Sequence, residues 1–451
     1  MLPPVIRKPR ATIVPLIAAG YLLLNASCSA VHLNDDCVPE DPVCGGWALY
    51  LLGSLQVNAV YAISFGQRTA TGQDWWLKKY SAGGVEDTLN WNLLFDGGNS
   101  GTDQPAAAVF VGDGALVIGG TDLGAGTGLD WALRKTSVAA EEDTVNWPKV
   151  FDGGNTIADQ IFDAAATPDG GLIAVGKRSR LASADDWWIK KYAANGIEDT
   201  ANWDKSIDGG NNLNEEANSV AVAADGSVFV VGTFNSPGSQ KDWRIKKFSA
   251  NGVEDTINWD KSFDGGGNLN DSAFAVAIAG DGGLYVAGDF NVAGPGPNMV
   301  IKKFSANGIE DTVNWNKNFD GGNNSVDAAI AMAVAPDGSL YVAGSATPSG
   351  KVDQDWWIKK FSAGGVEDTV NWNKQIDGGA IQNESAQTIQ IAPDGSVFVG
   401  GSFGVAGGNS QAVVKKFSAD GIEDMTNWNK IFQAEATGNN RVNHILLELG
   451  L

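Results

Sequence analysis

Histidine and cysteine are close to absent from this chain of 451 residues: there are two histidines, His32 and His444, and three cysteines, Cys28, Cys37 and Cys44. Long apolar runs are missing too, since the stretch Ala11 to Leu24 falls short of the roughly 20 residues a helix needs to cross a bilayer. Positive charge is scarce, with 31 Lys and Arg against 53 Asp and Glu and a formal net charge of −22. Each shortage excludes a class of function. With no His or Cys in the repeated part of the chain, a structural zinc site there is improbable, and no imidazole is at hand to activate a nucleophile. With no basic face there is no footprint for a phosphate backbone, so no nucleic acid is expected as a partner, and an anionic bilayer surface would repel the protein. General acid and base chemistry is left to Asp and Glu.

The few basic residues near the N-terminus are placed informatively. Arg7, Lys8 and Arg10 precede the apolar run, which ends in Asn25, Ala26, Ser27 and Cys28, the layout of an export signal. Small residues just before a cysteine resemble a bacterial lipobox, and Asn25 with Leu24 one place further out resembles the looser lipoboxes of spirochaetes. The resemblance implies that residues 1–27 are a signal peptide and that Cys28 becomes a lipid-modified first residue, holding the protein at an outer membrane or cell surface. The alternative is cleavage after Ala30 and a periplasmic or secreted protein. Residues 28–46 read as a tether, in which Cys37 and Cys44 either pair in an oxidising compartment or stay free thiols.

What the chain has in abundance is glycine, 58 residues, and tryptophan, 16 residues. The tryptophans reveal a repeat: an Asn-Trp pair recurs every 56 or so residues, with its Trp at Trp91, Trp147, Trp203, Trp259, Trp315, Trp372 and Trp428. The copies run without a linker from Asp74 to Phe432, which predicts one closed array over residues 47–451 rather than several domains. Period-two alternation gives four strands per copy. In one copy these are Ala328 to Ala335, Ser339 to Ala343, Asp355 to Phe361 and Asn371 to Ile376, with the Asn-Trp tryptophans opening each fourth strand. An Asp-Gly pair, with Gly at Gly114, Gly170, Gly226, Gly282, Gly338 and Gly395, joins the first two strands, because a tight hairpin needs the positive φ that Gly adopts cheaply.

Four strands per repeat at this period predict an all-β fold, a seven-bladed β-propeller. Side-chain size agrees: the first strands are rich in Ala, such as Ala275, Ala277 and Ala279, while third strands carry Trp pairs such as Trp187 and Trp188, so each module is narrow inside and wide outside. Seven Asn-Trp pairs but six Asp-Gly hairpins mean that one blade is shared between the chain ends. The spacing puts Ile445 and Leu447 on its inner strand, beside Ala59 to Ser64, with Trp47 to Leu52 as the other candidate for that strand.

The run Asp242-Trp243, Ile245, Lys247, Phe248, Gly252 and Asp255 resembles bacterial propeller-repeat proteins of the delta-60 and SBBP type. That resemblance implies a propeller, often on an exported protein, and no shared activity. Two further patterns recur. A lysine at Lys79, Lys135, Lys191, Lys247, Lys303, Lys360 and Lys416 is followed eight residues on by Asp87, Asp143, Asp199, Asp255, Asp311, Asp368 and Asp424, which suggests one cross-hairpin ion pair per blade. The turns after the fourth strands are acidic and amide-rich: Asp152, Asn155 and Asp159, then Asp264 and Asp271, then Asp320 and Asp327. Oxygen ligands on a Gly-permitted loop suit calcium, although ordinary turns capped by Asx side chains explain the same residues, and no cofactor is otherwise indicated.

The copies diverge most between their second and third strands, from Phe65 to Gln73, Thr121 to Leu129, Lys177 to Asp185, Thr233 to Lys241, Asp289 to Pro297, Ser345 to Gln354 and Ser402 to Ser410. Unlike loops on a like scaffold are where recognition is expected, here of a protein or glycan ligand. The expected function is therefore a binding or scaffolding surface in the cell envelope. The alternatives are a glycan-active enzyme working through an Asp/Glu pair, and a purely structural envelope component.

Overall fold

A hairpin with one apolar face cannot bury that face alone, and the repeat solves this by stacking. The computed structural model describes residues 55–450 apart from 69–71, 98–100, 125–127, 153–157, 181–183, 211–212, 236–239, 267–268, 293–295, 323–325 and 436–437. Cys28, Cys37, Cys44, Asn155 and the stretch Trp47 to Leu52 lie outside the described residues. The strands form seven antiparallel four-stranded sheets, each ordered from an innermost to an outermost strand. In the fourth blade these are Glu216–Val222, Val228–Asn235, Lys241–Phe248 and Lys261–Phe263.

The seven-bladed propeller is closed by the tail. Asn440–Gly450 pairs with Gln56–Arg68, placing Ile445 opposite Ala62 and Leu447 opposite Val60. It also touches the innermost strands on both sides, Ser385–Ile391 and Gln104–Phe110, so the ring has no open seam. A β-bulge recurs at one level of the innermost strands, for example between Ala217 and Ser219 and between Ala273 and Ala275. The extra residue can reach the next blade: the Asn218 amide donates to the Ala273 carbonyl at 2.9 Å.

The core lies between blades rather than within them. One cluster joins Ile173, Val175, Trp187 and Trp203 of the third blade to Ala217, Val228, Val230 and Phe248 of the fourth. Burying each large side chain there contributes about 1.5–3 kcal/mol. Tryptophans at two places in the repeat also hydrogen-bond across the seams, five at each place. Trp75, Trp131, Trp187, Trp243 and Trp356 donate to the carbonyls of Thr121, Lys177, Thr233, Asp289 and Ser402. Trp91, Trp203, Trp315, Trp372 and Trp428 donate to those of Val138, Ala250, Ala363, Ala419 and Ala82, the last spanning the closure.

Two expectations need correction. The Asn-Trp pair does not open the fourth strand. In the sixth blade that strand is Lys374–Ile376, because Asp368 holds the preceding turn by accepting the Val370 and Asn371 amides, and the Trp372 amide donates to the Asp368 carbonyl. The ion pair in each blade is also one residue out of the expected register. Lys78, Arg134, Lys190, Lys246, Lys302, Lys359 and Lys415 pair with Glu86, Glu142, Glu198, Glu254, Glu310, Glu367 and Glu423. Successive side chains on a strand point to opposite faces, so the lysine one place later has other partners: Lys191 meets Asp169 and Lys303 meets Asp281, both in the Asp-Gly hairpins. The recurring aspartates instead cap their own turns, and amide donation, from Asn258 first, holds Asp255 below the usual carboxylate range.

Candidate functional site: the acidic junctions of the upper face

Antiparallel blades put the divergent loops and the acidic turns on one face, called upper here, and the Asp-Gly hairpins with the Asx-capped turns on the other. Hydrogen bonds tie the upper parts together. Asp271, just before the innermost strand Ser272–Ile278, accepts the Gly265 amide of its own turn at 2.5 Å and the Asn291 amide of the neighbouring loop at 2.7 Å. Asp103 does the same with Gly97 and Leu123 at 2.9 and 2.6 Å, and Asp327 does so with Gly321 and Thr347 at 2.5 and 2.9 Å. These carboxylates are buried, and burial pushes Asp271 up to about 6 and raises Asp103 and Asp327 as well.

Four such acids have the company of two further carboxylates. Asp74, Asp96 and Asp103 bring carboxylate oxygens within 4.8 Å of one another, as do Asp130, Asp152 and Asp159; Asp186, Asp208 and Glu215; and Asp242, Asp264 and Asp271. The calcium candidates Asp152 with Asp159 and Asp264 with Asp271 are thus brought together. Each pair gains a third member that the sequence did not suggest, the Asp preceding the third-strand Trp. That residue is distant along the chain and returns to the turn only because the fourth strand folds back beside the third. Asp320 and Asp327 form no trio, since Asn298 stands in the third place and donates to Asn318 Oδ1 at 2.9 Å.

Two junctions depart from the rule, each where Glu replaces Asp before the innermost strand. Glu215 and Glu384 are 0% exposed, yet neither carboxylate oxygen of either residue has a hydrogen-bond partner. One methylene longer than Asp, the Glu215 side chain lies beside the equivalent Gly209 and Asn235 amides without the close hydrogen bonds that hold Asp271. Burial first, then the charges of Asp208 and Asp186, pushes Glu215 up to about 7, with the nearby Gly209 and Asn235 amides drawing it partly back. Burial, then Asp377, Asp355 and Asp353, pushes Glu384 up to about 8. At the junction of Glu384 a cation is built in: Lys351 Nζ lies 2.9 Å from both Asp355 oxygens and 2.8 Å from Asp377 Oδ2. At the closing junction the three places are held by Gln411, Gln433 and Asn440, and the Gln411 amide donates to Gln433 Oε1 at 3.2 Å.

The lower rim has a feature the sequence reading passed over. Val85 and Leu89, Val253 and Ile257, Ile309 and Val313, and Val366 and Val370 are 68 to 92% exposed, two aliphatic side chains in each of four blades. The signal was in the repeat, in the apolar residues flanking Glu-Asp-Thr. Gly400, Gly401, Ser402, Phe403 and Gly404 have the spacing of a nucleophile elbow, but they lie within the continuous strand Val397–Val405, so Ser402 is not presented on a strand-to-helix turn.

Fold and site together define a β-propeller repeat protein with an acidic, loop-built upper face. Residues 223–256 and 392–422 match the model of a family described as a domain of unknown function (DUF5122) beta-propeller. No curated protein matches in sequence. Similar solved structures include a periplasmic gluconolactonase of Pseudomonas aeruginosa, at 12% identity over 88% of this chain and 99% of that one, with a TM-score of 0.49. A protein of unknown function from Dyadobacter fermentans is 11% identical over 69% of this chain and 93% of that one, at 0.43. An α-L-arabinofuranosidase of Fusarium graminearum is 10% identical over 70% and 93%, at 0.42. None of these TM-scores reaches 0.5, and no activity passes from these proteins to this chain.

Proposed function

We propose that the protein is an exported, lipid-anchored propeller that serves as a binding or scaffolding surface in the cell envelope, with the upper loops as its contact face. One observation carries this reading. The lower turns are built from the same parts in blade after blade, Asp-Gly hairpins and Asx-capped turns, whereas the upper loops differ in composition, and one of them by a residue in length, while being seated on like hydrogen bonds. A rigid ring with unlike loops on one face is suited to recognising a protein or a glycan. Anchoring rests on the sequence around Cys28 and is tested by palmitate labelling of wild type and Cys28→Ala.

The contact face is tested by a glycan array and purified envelope polymers, comparing wild type with two variants. In the first, the loop Pro348–Val352 is replaced by Gly-Ser residues; in the second, Val253 and Ile257 on the lower rim become Ser. Loss of a saturable signal with the loop variant alone supports the upper face. Loss with the rim variant alone moves the contact to the aliphatic ring. A glycan-active enzyme would turn over glycan rather than retain it, and a purely structural component would bind nothing saturably.

A further inference from the structure

The junction between the third and fourth blades holds an electrostatic arrangement that the protein alone leaves incomplete. Asp186, Asp208 and Glu215 converge with oxygens within 4.8 Å of one another. Asp186 Oδ2 is engaged, accepting from Ser206 Oγ at 2.9 Å with Arg180 Nε 3.2 Å away, and Asp208 Oδ1 accepts the Gly210 amide at 2.8 Å. Asp186 Oδ1 and both oxygens of Glu215 have no hydrogen-bond partner, although Asp186 is 2% exposed and Glu215 0%. Three carboxylates against the Arg180 guanidinium, with Arg178 opposite Asp186 on the neighbouring strand, still leave an excess of one negative charge. A buried carboxylate without a partner is costly, and its two remedies are protonation and a cation.

We propose that Asp186, Asp208 and Glu215 bind a divalent cation of the calcium type, which ties the third blade to the fourth. Three features of the molecule favour a cation over a mere crowd of acids. The donors are all carboxylate oxygens, the hard ligands calcium prefers, and ligands about 2.4 Å from one ion lie no more than about 4.8 Å apart. The equivalent place between the sixth and seventh blades contains a cationic group of the protein itself, the Lys351 ammonium between Asp355 and Asp377. Where the ring closes, all three carboxylates give way together to Gln411, Gln433 and Asn440, amides that need no counter-charge. The Gly210 turn leaves Asp208 on the exposed side, where water completes the coordination shell.

The test uses the full folded chain, stripped with EDTA and dialysed. Calcium is titrated calorimetrically into wild type, Glu215→Gln and Asp208→Asn, and melting curves are recorded with calcium, with magnesium and with EDTA. Because Asp208 is exposed, Asp208→Asn folds whatever happens to Glu215→Gln. The proposal expects calcium to raise the wild-type Tm by several degrees, magnesium to raise it less, and each variant to bind one ion fewer. Terbium luminescence excited through the adjacent Trp187 should fall in both variants. Wild type that takes up no calcium at millimolar concentration, or variants with an undiminished ion count, would overturn it and leave Glu215 as a protonated buried acid.

Discussion

The difference between Asp and Glu is one methylene, and at the blade junctions it decides whether a buried carboxylate is satisfied. Asp271 places one oxygen on each of two amides, and Glu384 reaches neither. In EDTA, Glu384→Asp should therefore raise the Tm, recovering about 1–3 kcal/mol as the equivalent amide bonds form; a lower Tm would show that the methylene fills space rather than misplaces charge. Asp289 makes a parallel case. It accepts the Ser272 amide at 2.9 Å, a bond that the Thr121 hydroxyl makes in the second blade. Burial, then the charge of Asp271, pushes Asp289 from 3.8 up to about 7. The folded protein holds this proton more tightly than the unfolded chain, so the stability it contributes is present below about pH 4 and lost as pH rises through 7. Asp289→Asn keeps the acceptor and should raise the unfolding free energy at pH 8, by a few kcal/mol at most, with little change at pH 4. Equal effects at both pH values would mean that packing, not charge, is involved.

At the scale of the element, much was legible and the rest failed for stated reasons. The third strand Asp355–Phe361 is legible to its last residue, because the run Trp-Trp-Ile-Lys-Lys-Phe marks it between polar and glycine-containing segments. The fourth strand is shorter than the alternation suggests, because the Asx turn holding Trp372 competes with the ladder and leaves no trace in that alternation. The ion pair was misassigned because Lys-Lys is followed by Glu-Asp, two adjacent residues of each sign, and a sequence does not say which of two neighbours turns inward. The structure turns Lys246 inward, 5% exposed, within 2.5 Å of Glu254 and 2.8 Å of Asp260. Lys246→Met should then cost about 3–5 kcal/mol by leaving Glu254 without its buried cation, while Asp260 keeps Arg244 at 2.6 Å. Lys246→Met with Glu254→Gln, which leaves the Arg244–Asp260 pair intact, should recover much of it, and urea unfolding of both variants gives the coupling. Two equally destabilised variants would point to lost packing of the lysine stem.

For the whole molecule, the ring is held by contacts that repeat at every seam, and the weak places are where the repeat lapses. Met299 and Ala412 stand where other blades have the donating third-strand Trp, so two seams, including the closing one, do without that bond. The closing seam relies instead on the tail, through its pairing with Gln56–Arg68 and burial of Val442 and Ile445. Trp428 adds its bond to the Ala82 carbonyl at 3.0 Å. The sequence showed closure as a count, seven Asn-Trp pairs against six hairpins, and located the tail strand by spacing alone. It could not show that the upper acids would meet across seams, since that depends on how blades pack. A latched ring is also what holds the unlike upper loops in fixed relation, so the recognition proposed for that face would depend on closure.

Thermal unfolding of the chain lacking Val442 to Leu451, beside the intact protein, tests this account most directly. A tail-latched ring predicts a Tm lower by at least about 10 °C, with the first blade losing protection from hydrogen exchange before the fourth. A melting curve that superimposes on that of the intact protein would contradict closure by the tail.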